Sequence, residues 1–233
     1  MTLDTHLYKY ILAIETATPV CSVALRKPDG RMIEKRVEGT GVHSEKTFMF
    51  IRELMESAGI GAQDLDAVLF SNGPGSYTGL RIGAAAVKGL LFGTKISLYL
   101  FPTLLSYAVR ALPDDGNASQ TIHAVINARR NHLYIQKAGA DLEKIGKPAV
   151  SELEQIKKEL NEGDILIGTG WDRLNLEPND KIGTIGTEGI SATSLIKAFG
   201  NDRLKDYFEK AEPKSFEPHY LTLSQVNNSR IQG

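Results

Sequence analysis

Residues 71–93, SNGPGSYTGLRIGAAAVKGLLFG, constrain the fold more than any other stretch of this chain. Six glycines, one proline and three Ser/Thr side chains fall within these 23 residues. The apolar run Ala67 to Phe70 before them predicts a buried strand. Gly73 and Gly75 flank Pro74, so the chain must turn sharply there. Ser76 or Thr78 then caps a helix that runs to about Leu91. A strand, a glycine-rich turn and a helix is the order in which α/β proteins hold an anion at a helix N-terminus. The P-loop pattern is excluded, because no Lys follows the last Gly before the Ser/Thr. The dinucleotide fingerprint is excluded by the glycine spacing. Two readings stay open: an anion cradle, and a tight connection with no ligand.

The helix behind the turn is rich in small residues. Gly79 and Gly83 are four apart, as are Ala85, Gly89 and Gly93. An interior helical glycine costs roughly 1 kcal/mol relative to alanine, so several call for the close approach of another backbone. That backbone belongs either to the chain's own sheet and neighbouring helix or to another chain. On the second reading, a bulky residue at Gly83 or Gly89 abolishes pairing and spares the fold. Unfolding would place those glycines in the protein's own core.

The rest of the chain reads as alternating strands and helices. Residues 1–7 read as a loose leader, and Tyr8 to Ile14 as a buried strand. Val20 to Arg26 returns antiparallel after the short link Glu15-Thr16-Ala17-Thr18-Pro19, and Arg31 to Glu38 follows the Asp29-Gly30 turn. Ser44 is placed to cap a helix to Ala58 with Phe48, Ile51, Met55 and Ala58 on one face, closed by Gly59 and Gly61. Lys95 to Leu100 is a strand, and Pro102 opens a helix to Ala111. The polar, turn-rich segment 112–120 is the best internal boundary, dividing an α/β domain 1–111 from a second, 112–233. After it the order recurs. Thr121 to Asn127 and His132 to Lys137 form a second hairpin. A helix Glu152 to Leu160, a strand Asp164 to Gly168 and a helix Ala192 to Phe208 follow. Two α/β halves, each opening on a hairpin, predict the duplicated fold shared by actin, sugar kinases and heat-shock chaperone ATPases. There the hairpin turns aim at a phosphate in the cleft between the halves.

The bulk numbers narrow the function. The 233 residues carry 27 basic and 28 acidic side chains, a net charge of -1. Such a balance does not support nucleic-acid binding by charge alone. One cysteine, Cys21, allows neither an internal disulfide nor a multi-cysteine zinc site. No apolar run reaches membrane length, and the chain reads as cytoplasmic.

The hairpin turns are candidate nucleotide sites. Glu15, Thr16 and Thr18 form the first, Gly73, Gly75 and Ser76 the glycine-rich turn, and Asn127 and Arg129 the second hairpin. A phosphotransferase of this fold places an Asp at the position of Glu15 and a second acid at that of Asn127. Asn127 can neither offset a metal's charge nor act as a general base. The expected carboxylate pair is missing, although Arg129 and Arg130 could hold a phosphate or carboxylate. Among His6, His43, His123, His132 and His219 no two are three or four apart, which removes a helical metal pair. His123 and His132 flank the second hairpin and could approach each other across it. No catalytic residue and no metal site is therefore assigned.

These residues resemble a known family. ILAIETATPVCSVAL looks like the opening hairpin of the bacterial threonylcarbamoyladenosine biosynthesis proteins called TsaB or YeaZ. SNGPGSYTGLRIGAAAVKGL is similar to that family's signature turn and helix, and His43-Ser44-Glu45 to the start of its first helix. INARRNHLYIQ resembles its second hairpin, where Asp usually stands in place of Asn127. Glu217-Pro218-His219-Tyr220-Leu221 is similar to its C-terminal motif. The resemblance implies a non-catalytic subunit of the complex that adds threonylcarbamoyl to the adenosine beside the anticodon of tRNAs reading codons that begin with A. It implies a metal-bearing paralogue, TsaD, as catalytic partner, a TsaE-like ATPase as third member, and tRNA met only through the complex. The paralogue's His-x-x-x-His metal pair has no counterpart here, so the glycoprotease label does not carry over. The docking surface is expected on the helices near 44–58 and 78–91, with Gly79, Leu80, Gly83, Ala86, Val87, Leu90, Phe48, Ile51 and Met55 as candidates. A homodimer is the expected alternative without the partner, and no cofactor is expected beyond weak or partner-dependent ATP or ADP. The competing reading is an autonomous ATP-dependent kinase or acyltransferase of the same fold.

Overall fold

The computed structural model describes residues 8–113 and 120–221. In chain order the elements are β1 (Ile11–Glu15), β2 (Val20–Arg26), β3 (Met32–Glu38), α1 (His43–Ala58), β4 (Ala67–Ser71), α2 (Tyr77–Leu91), β5 (Ser97–Phe101) and α3 (Thr103–Arg110). The second half adds β6 (Thr121–Asn127), β7 (His132–Gly139), β8 (Ala149–Glu152), α4 (Leu153–Lys158), β9 (Ile165–Gly168), β10 (Gly183–Ile185), α5 (Thr193–Phe199) and β11 (Glu209–Ala211).

The strands make two mixed sheets of the same plan. The first runs β11-β5-β4-β1-β2-β3 and the second β10-β9-β6-β7-β8. In each, a meander of three antiparallel strands leads through its first strand into two parallel ones. The halves are thus duplicates in topology, and the molecule has the two-lobed actin-like α/β architecture. Chemistry explains the order. Every residue of β1 and β4 is buried, as central strands covered on both faces require. β3, with Glu34, Lys35 and Arg36 in succession, forms a charged edge.

Two helices are sandwiched between the sheets. α3 packs on α5, β6 and β7, and α5 packs on β1, β2 and β4. One core therefore contains Ile11 and Ala13 of the first sheet, Leu104 and Tyr107 of α3, Leu195 and Phe199 of α5, and Ile122 and Ala124 of the second sheet. On the far face of the first sheet, α1 and α2 cover Leu12, Ile14, Val68 and Phe70. A polar clasp adds to the join. Arg36 donates from Nε to the Ile190 carbonyl (2.9 Å) and from Nη2 to that of Thr187 (2.5 Å). Ser22 Oγ accepts from Ala192 N at 2.7 Å.

The structure departs from the sequence reading in several places. α1 begins at His43 with no side-chain cap, so Ser44 lies inside the helix. Its core face is Thr47, Phe50, Ile51, Leu54 and Met55, while Phe48 is 50% exposed. Phe48, Met49 and Phe50 are consecutive, so one helix cannot bury all three, and the sheet takes Phe50. Tyr8 to Tyr10 precede β1, where the Lys9 and Tyr10 amides donate to Asp66 Oδ2 at 2.6 and 2.8 Å. The last helix ends at Phe199, and a separate 3-10 turn over 202–207 follows Gly200. β8, β10 and β11 are strands of three or four residues with too few positions to show a period. β11 pairs with β5, so a division at residue 111/112 does not describe the tail, which returns to the first lobe. The leader over 1–7 and boundary residues 114–119 lie outside the described residues. Among the described residues no helix is long and apolar enough to cross a membrane.

Candidate functional site

The glycine-rich turn backs directly onto the first hairpin. Ser76 N donates to the Ala17 carbonyl at 2.6 Å. A β-carbon at Gly75 would collide with the Ala17 carbonyl oxygen, and one at Gly79 with that of Thr16. Ser76 is the N-cap of α2, its Oγ accepting from Gly79 N at 3.2 Å. The chain's own carbonyls thus crowd this helix N-terminus, and the Ser76 and Gly79 amides are already bonded. Gly73, at φ 107°, donates its N–H to Thr103 Oγ1 (2.8 Å) and its carbonyl accepts from Thr103 N (2.9 Å). Of the two readings of Gly73, Gly75 and Ser76, this geometry supports the tight connection, in which the glycines serve close packing of backbone on backbone.

Glu15 points inward. It is 1% exposed, and its Oε1 accepts from Ala17 N at 2.6 Å and from the Tyr107 hydroxyl at 3.2 Å, while Oε2 has no partner. Burial pushes its pKa up to about 7, against the opposing pull of the Ser71 hydroxyl, the Ala17 amide and the Tyr107 hydroxyl. Burial likewise raises Tyr107 well above the ordinary tyrosine value. Ser71 Oγ and Thr103 Oγ1 lie 2.9 Å apart beside this group. Thr16 is wholly buried, its Oγ1 unpartnered and set where a β-carbon of Gly83 would collide. Thr18 Oγ1 accepts from Val20 N at 3.4 Å. Glu15, Thr16 and Thr18 thus form a buried polar knot rather than a metal-facing turn, correcting their assignment as nucleotide ligands.

The second hairpin turn is solvent-facing and internally tied. Asn127 Oδ1 accepts from Arg129 N (3.0 Å) and from Arg173 Nη1 (2.8 Å), and Asn127 N donates to Thr169 Oγ1 (3.2 Å). Arg129 and Arg130 both adopt positive φ, 69° and 46°, and are exposed. The histidines flanking this hairpin do not meet. His123 is 1% exposed and bonds Asp164 Oδ2 at 2.9 Å, while His132 Nε2 stands 4.0 Å from Glu152. Burial holds the His123 imidazole below its ordinary pKa against the opposing pull of Asp164. No group of three or more metal-ligating side chains occurs among the described residues.

α2 has two faces of different character. Gly79, Leu80, Gly83, Ala86 and Val87 are buried against the chain's own sheet, as are Ile51 and Met55 of α1. A β-carbon at Gly83 would strike Thr16 Oγ1 and sit 2.6 Å from the nearest Phe70 ring atom. These seven candidates therefore pack inside the lobe, a correction to their placement on a docking surface. The outer face carries Ala85 and Gly89, both exposed, with Phe92 79% and Tyr77 54% exposed. A β-carbon at Gly89 would meet nothing within 4 Å. Leu90 is half-buried, and Phe48 of α1 is exposed. The sequence could not say which face was which, because small and apolar residues run nearly all round the helix.

A C-terminal strap closes the site. His219 N donates to the Asn72 carbonyl at 2.7 Å, and its own carbonyl oxygen fills the place of a Gly73 side chain. Phe216 packs edge-on to Phe70 at 5.9 Å, and Lys88 Nζ sits 5.1 Å from the Phe216 ring. Lys88 also pairs with Glu217 at 3.0 Å, and Tyr220 lies 5.0 Å from Tyr77. The C-terminal stretch noted in the sequence thus lies on the glycine-rich turn, a relation that no local pattern revealed.

Comparison with known proteins gives the family. Residues 40–163, more than half of the chain, match the family model described as TsaD: tRNA N6-adenosine threonylcarbamoyltransferase. The chain is 30% identical over 174 residues to the tRNA threonylcarbamoyladenosine biosynthesis protein TsaB of Haemophilus influenzae, covering 69% of this chain and 72% of that one. It is 25% identical over 233 residues to TsaB of Bacillus subtilis, covering 95% and 98%. Among solved structures, YeaZ from Pseudomonas aeruginosa superposes with a TM-score of 0.75 at 26% identity, over 91% of this chain and 100% of that one. The chain belongs to the TsaB (YeaZ) family of tRNA threonylcarbamoyladenosine biosynthesis proteins.

Proposed function

We propose that this protein is a non-catalytic subunit in the biosynthesis of threonylcarbamoyladenosine in tRNA. In this reading it docks a TsaD-like paralogue through the outer face of α1 and α2, and works with a TsaE-like ATPase. The observation that carries the reading is the outer face of α2. Gly89 and Ala85 are small and exposed, with open space where a Gly89 side chain would sit, and Phe48 of α1 and Phe92 just after α2 are exposed as well. Such a surface suits the close approach of a second helix pair. Two further features support it. Glu15 is buried inside the lobe with Oε1 on Ala17 and Tyr107, and the second hairpin carries an amide, Asn127, held by Arg129 and Arg173, so neither turn presents a carboxylate to solvent. The same face could pair two copies of this chain where the paralogue is missing.

Size exclusion of an equimolar mixture of the purified chain and its TsaD-like paralogue tests the reading, with and without nucleotide. A peak containing both chains is expected. Separate elution under both conditions contradicts the proposal. Titration calorimetry with Mg-ATP on the isolated chain addresses the competing kinase reading, for which saturable binding is required.

A further inference from the structure

The second hairpin sets three arginines beside one amide. Asn127 Oδ1 accepts from Arg129 N at 3.0 Å and from Arg173 Nη1 at 2.8 Å, and Arg173 Nη1 also reaches the His132 carbonyl at 3.5 Å. Arg173 can do so because its segment is drawn tight against the hairpin. Asn127 N donates to Thr169 Oγ1 at 3.2 Å, and Gly170 sits where a β-carbon would strike Leu133. Arg130 follows Arg129 directly, and both are exposed in the left-handed backbone region, at φ 69° and 46°. That region favours glycine and asparagine, so two consecutive arginines are a poor choice for the turn itself. Nor are their charges spent on structure. Among the described residues no side-chain hydrogen bond involves Arg129 or Arg130, and no ion pair involves these two or Arg173. The Glu152 carboxylate stands by His132 instead, at 4.0 Å. A carboxylate at position 127 would take the same two hydrogen bonds and offset the charge. The Asn127 amide orders the donors and leaves the charge whole.

The surroundings decide the kind of anion. Asn127, Arg129, Arg130 and Asn131 are all exposed, so the tip faces an extended ligand rather than enclosing a small one. The Ala128, Arg129 and His132 amides are used inside the turn, on the His132 carbonyl, Asn127 Oδ1 and the Arg129 carbonyl. A nucleotide's phosphates call for free backbone amides and a carboxylate for their metal, and this turn has spent these amides and lacks that carboxylate. A phosphodiester chain asks only for cationic side chains that reach outward from a fixed platform. The hairpin supplies them beside the carboxyl ends of the parallel strands β6 and β9, where α/β sheets place ligands. The helices α1 and α2 cover the far face of the other sheet, so docking there does not use this hairpin.

We infer that the second hairpin grips the phosphate backbone of the tRNA through Arg129, Arg130 and Arg173. The inference rests on the reading of this chain as a subunit that works on tRNA beside its paralogue. It adds a direct contact between this chain and RNA, which the net charge of -1 does not announce.

Fluorescence anisotropy with labelled tRNA across a range of KCl, on the chain mixed with its paralogue and on the chain alone, tests it. Arg129→Gln/Arg130→Gln is expected to weaken binding at least tenfold at about 0.1 M salt and to flatten the log–log salt slope by about one to two. The loss should be the same for an unrelated RNA of equal length, because phosphates carry no sequence. Asn127→Asp keeps both acceptor bonds and sets a negative charge among the arginines. It should weaken binding by roughly threefold or more without lowering Tm. Unchanged affinity and salt slope in the folded double variant, or no tRNA binding by the wild type alone or in the mixture, overturns the inference. Loss of co-elution with the paralogue in the variants, with RNA binding by the chain alone unchanged, assigns the arginines to a protein contact and overturns it too. Failure of the wild type to co-elute counts against the docking reading instead, and the titration of the chain alone still decides this one.

Discussion

Glu15 departs furthest from what its place in a polar hairpin turn suggests. A residue at the end of β1 would be expected to face the cleft, yet its carboxyl lies in a knot with Ala17 and Tyr107 and its pKa rises to about 7. In the unfolded chain the same group titrates near the ordinary glutamate value of about 4.3. Between those two values the folded state holds a proton that the unfolded state has released. The contribution of Glu15 is therefore fully present below about pH 4.3 and is lost as pH rises to about 7. The shift corresponds to roughly 4 kcal/mol as an upper bound. Glu15→Gln keeps the shape and removes the titration. Urea unfolding of both proteins from pH 5 to 8 should show the variant gaining on the wild type as pH rises, by about 2 kcal/mol at pH 8. A constant difference across that range would contradict a buried titrating carboxyl. The residue type was legible in the sequence but its direction was not, because a hairpin turn of polar residues fits inward and outward orientations alike. The glycines teach the same lesson. Gly83 and Gly89 read identically in sequence, yet one abuts Thr16 and Phe70 and the other faces open space. Gly83→Val should cost about 1–3 kcal/mol through overpacking. Gly89→Ala should leave stability unchanged or raise it by up to about 1 kcal/mol from helix propensity. Thermal melts of the two variants check both, and similar losses in the two would contradict the assigned faces.

At the level of elements, hairpin signals and two of the helix-end signals were the most readable, whereas the Ser44 cap was not met. Gly59 at the end of α1 and Ser76 at the start of α2 take the roles their residue types predict. The duplicated hairpins also match the pattern of strand-like runs, with β2 and β6 at the predicted bounds. Elements defined by long-range pairing were invisible. β11 has three residues and forms only because β5 offers an open edge. The strap over α2 is similar: its contacts span more than a hundred residues of sequence. Phe216, 6% exposed and set against Phe70, should be the strap's anchor. Phe216→Ala is expected to cost about 3 kcal/mol or more in urea unfolding. It should also raise amide exchange at the first turn of α2, where Tyr77 meets Tyr220. Unchanged exchange there would mean the strap merely rests on the helix.

Across the whole molecule, the two lobes share one core through α3 and α5, and Arg36 clasps the 187–190 segment of the second half. That construction agrees poorly with lobes that swing about a nucleotide, and well with a single rigid body presenting one docking face. The fold class was legible because hydrophobic runs and hairpins repeat in both halves. The shared core was not, since no local signal tells a helix that it will lie between two sheets. The central claim is that the outer face of α2 is an interface while its inner face is core. Calorimetric titration of the TsaD-like paralogue with Gly89→Trp, beside the wild type, tests it most directly. The account predicts that the wild type binds, and that Gly89→Trp melts within a degree or two of it yet loses at least a hundredfold in affinity. Wild-type affinity in Gly89→Trp, with the protein folded, would contradict it.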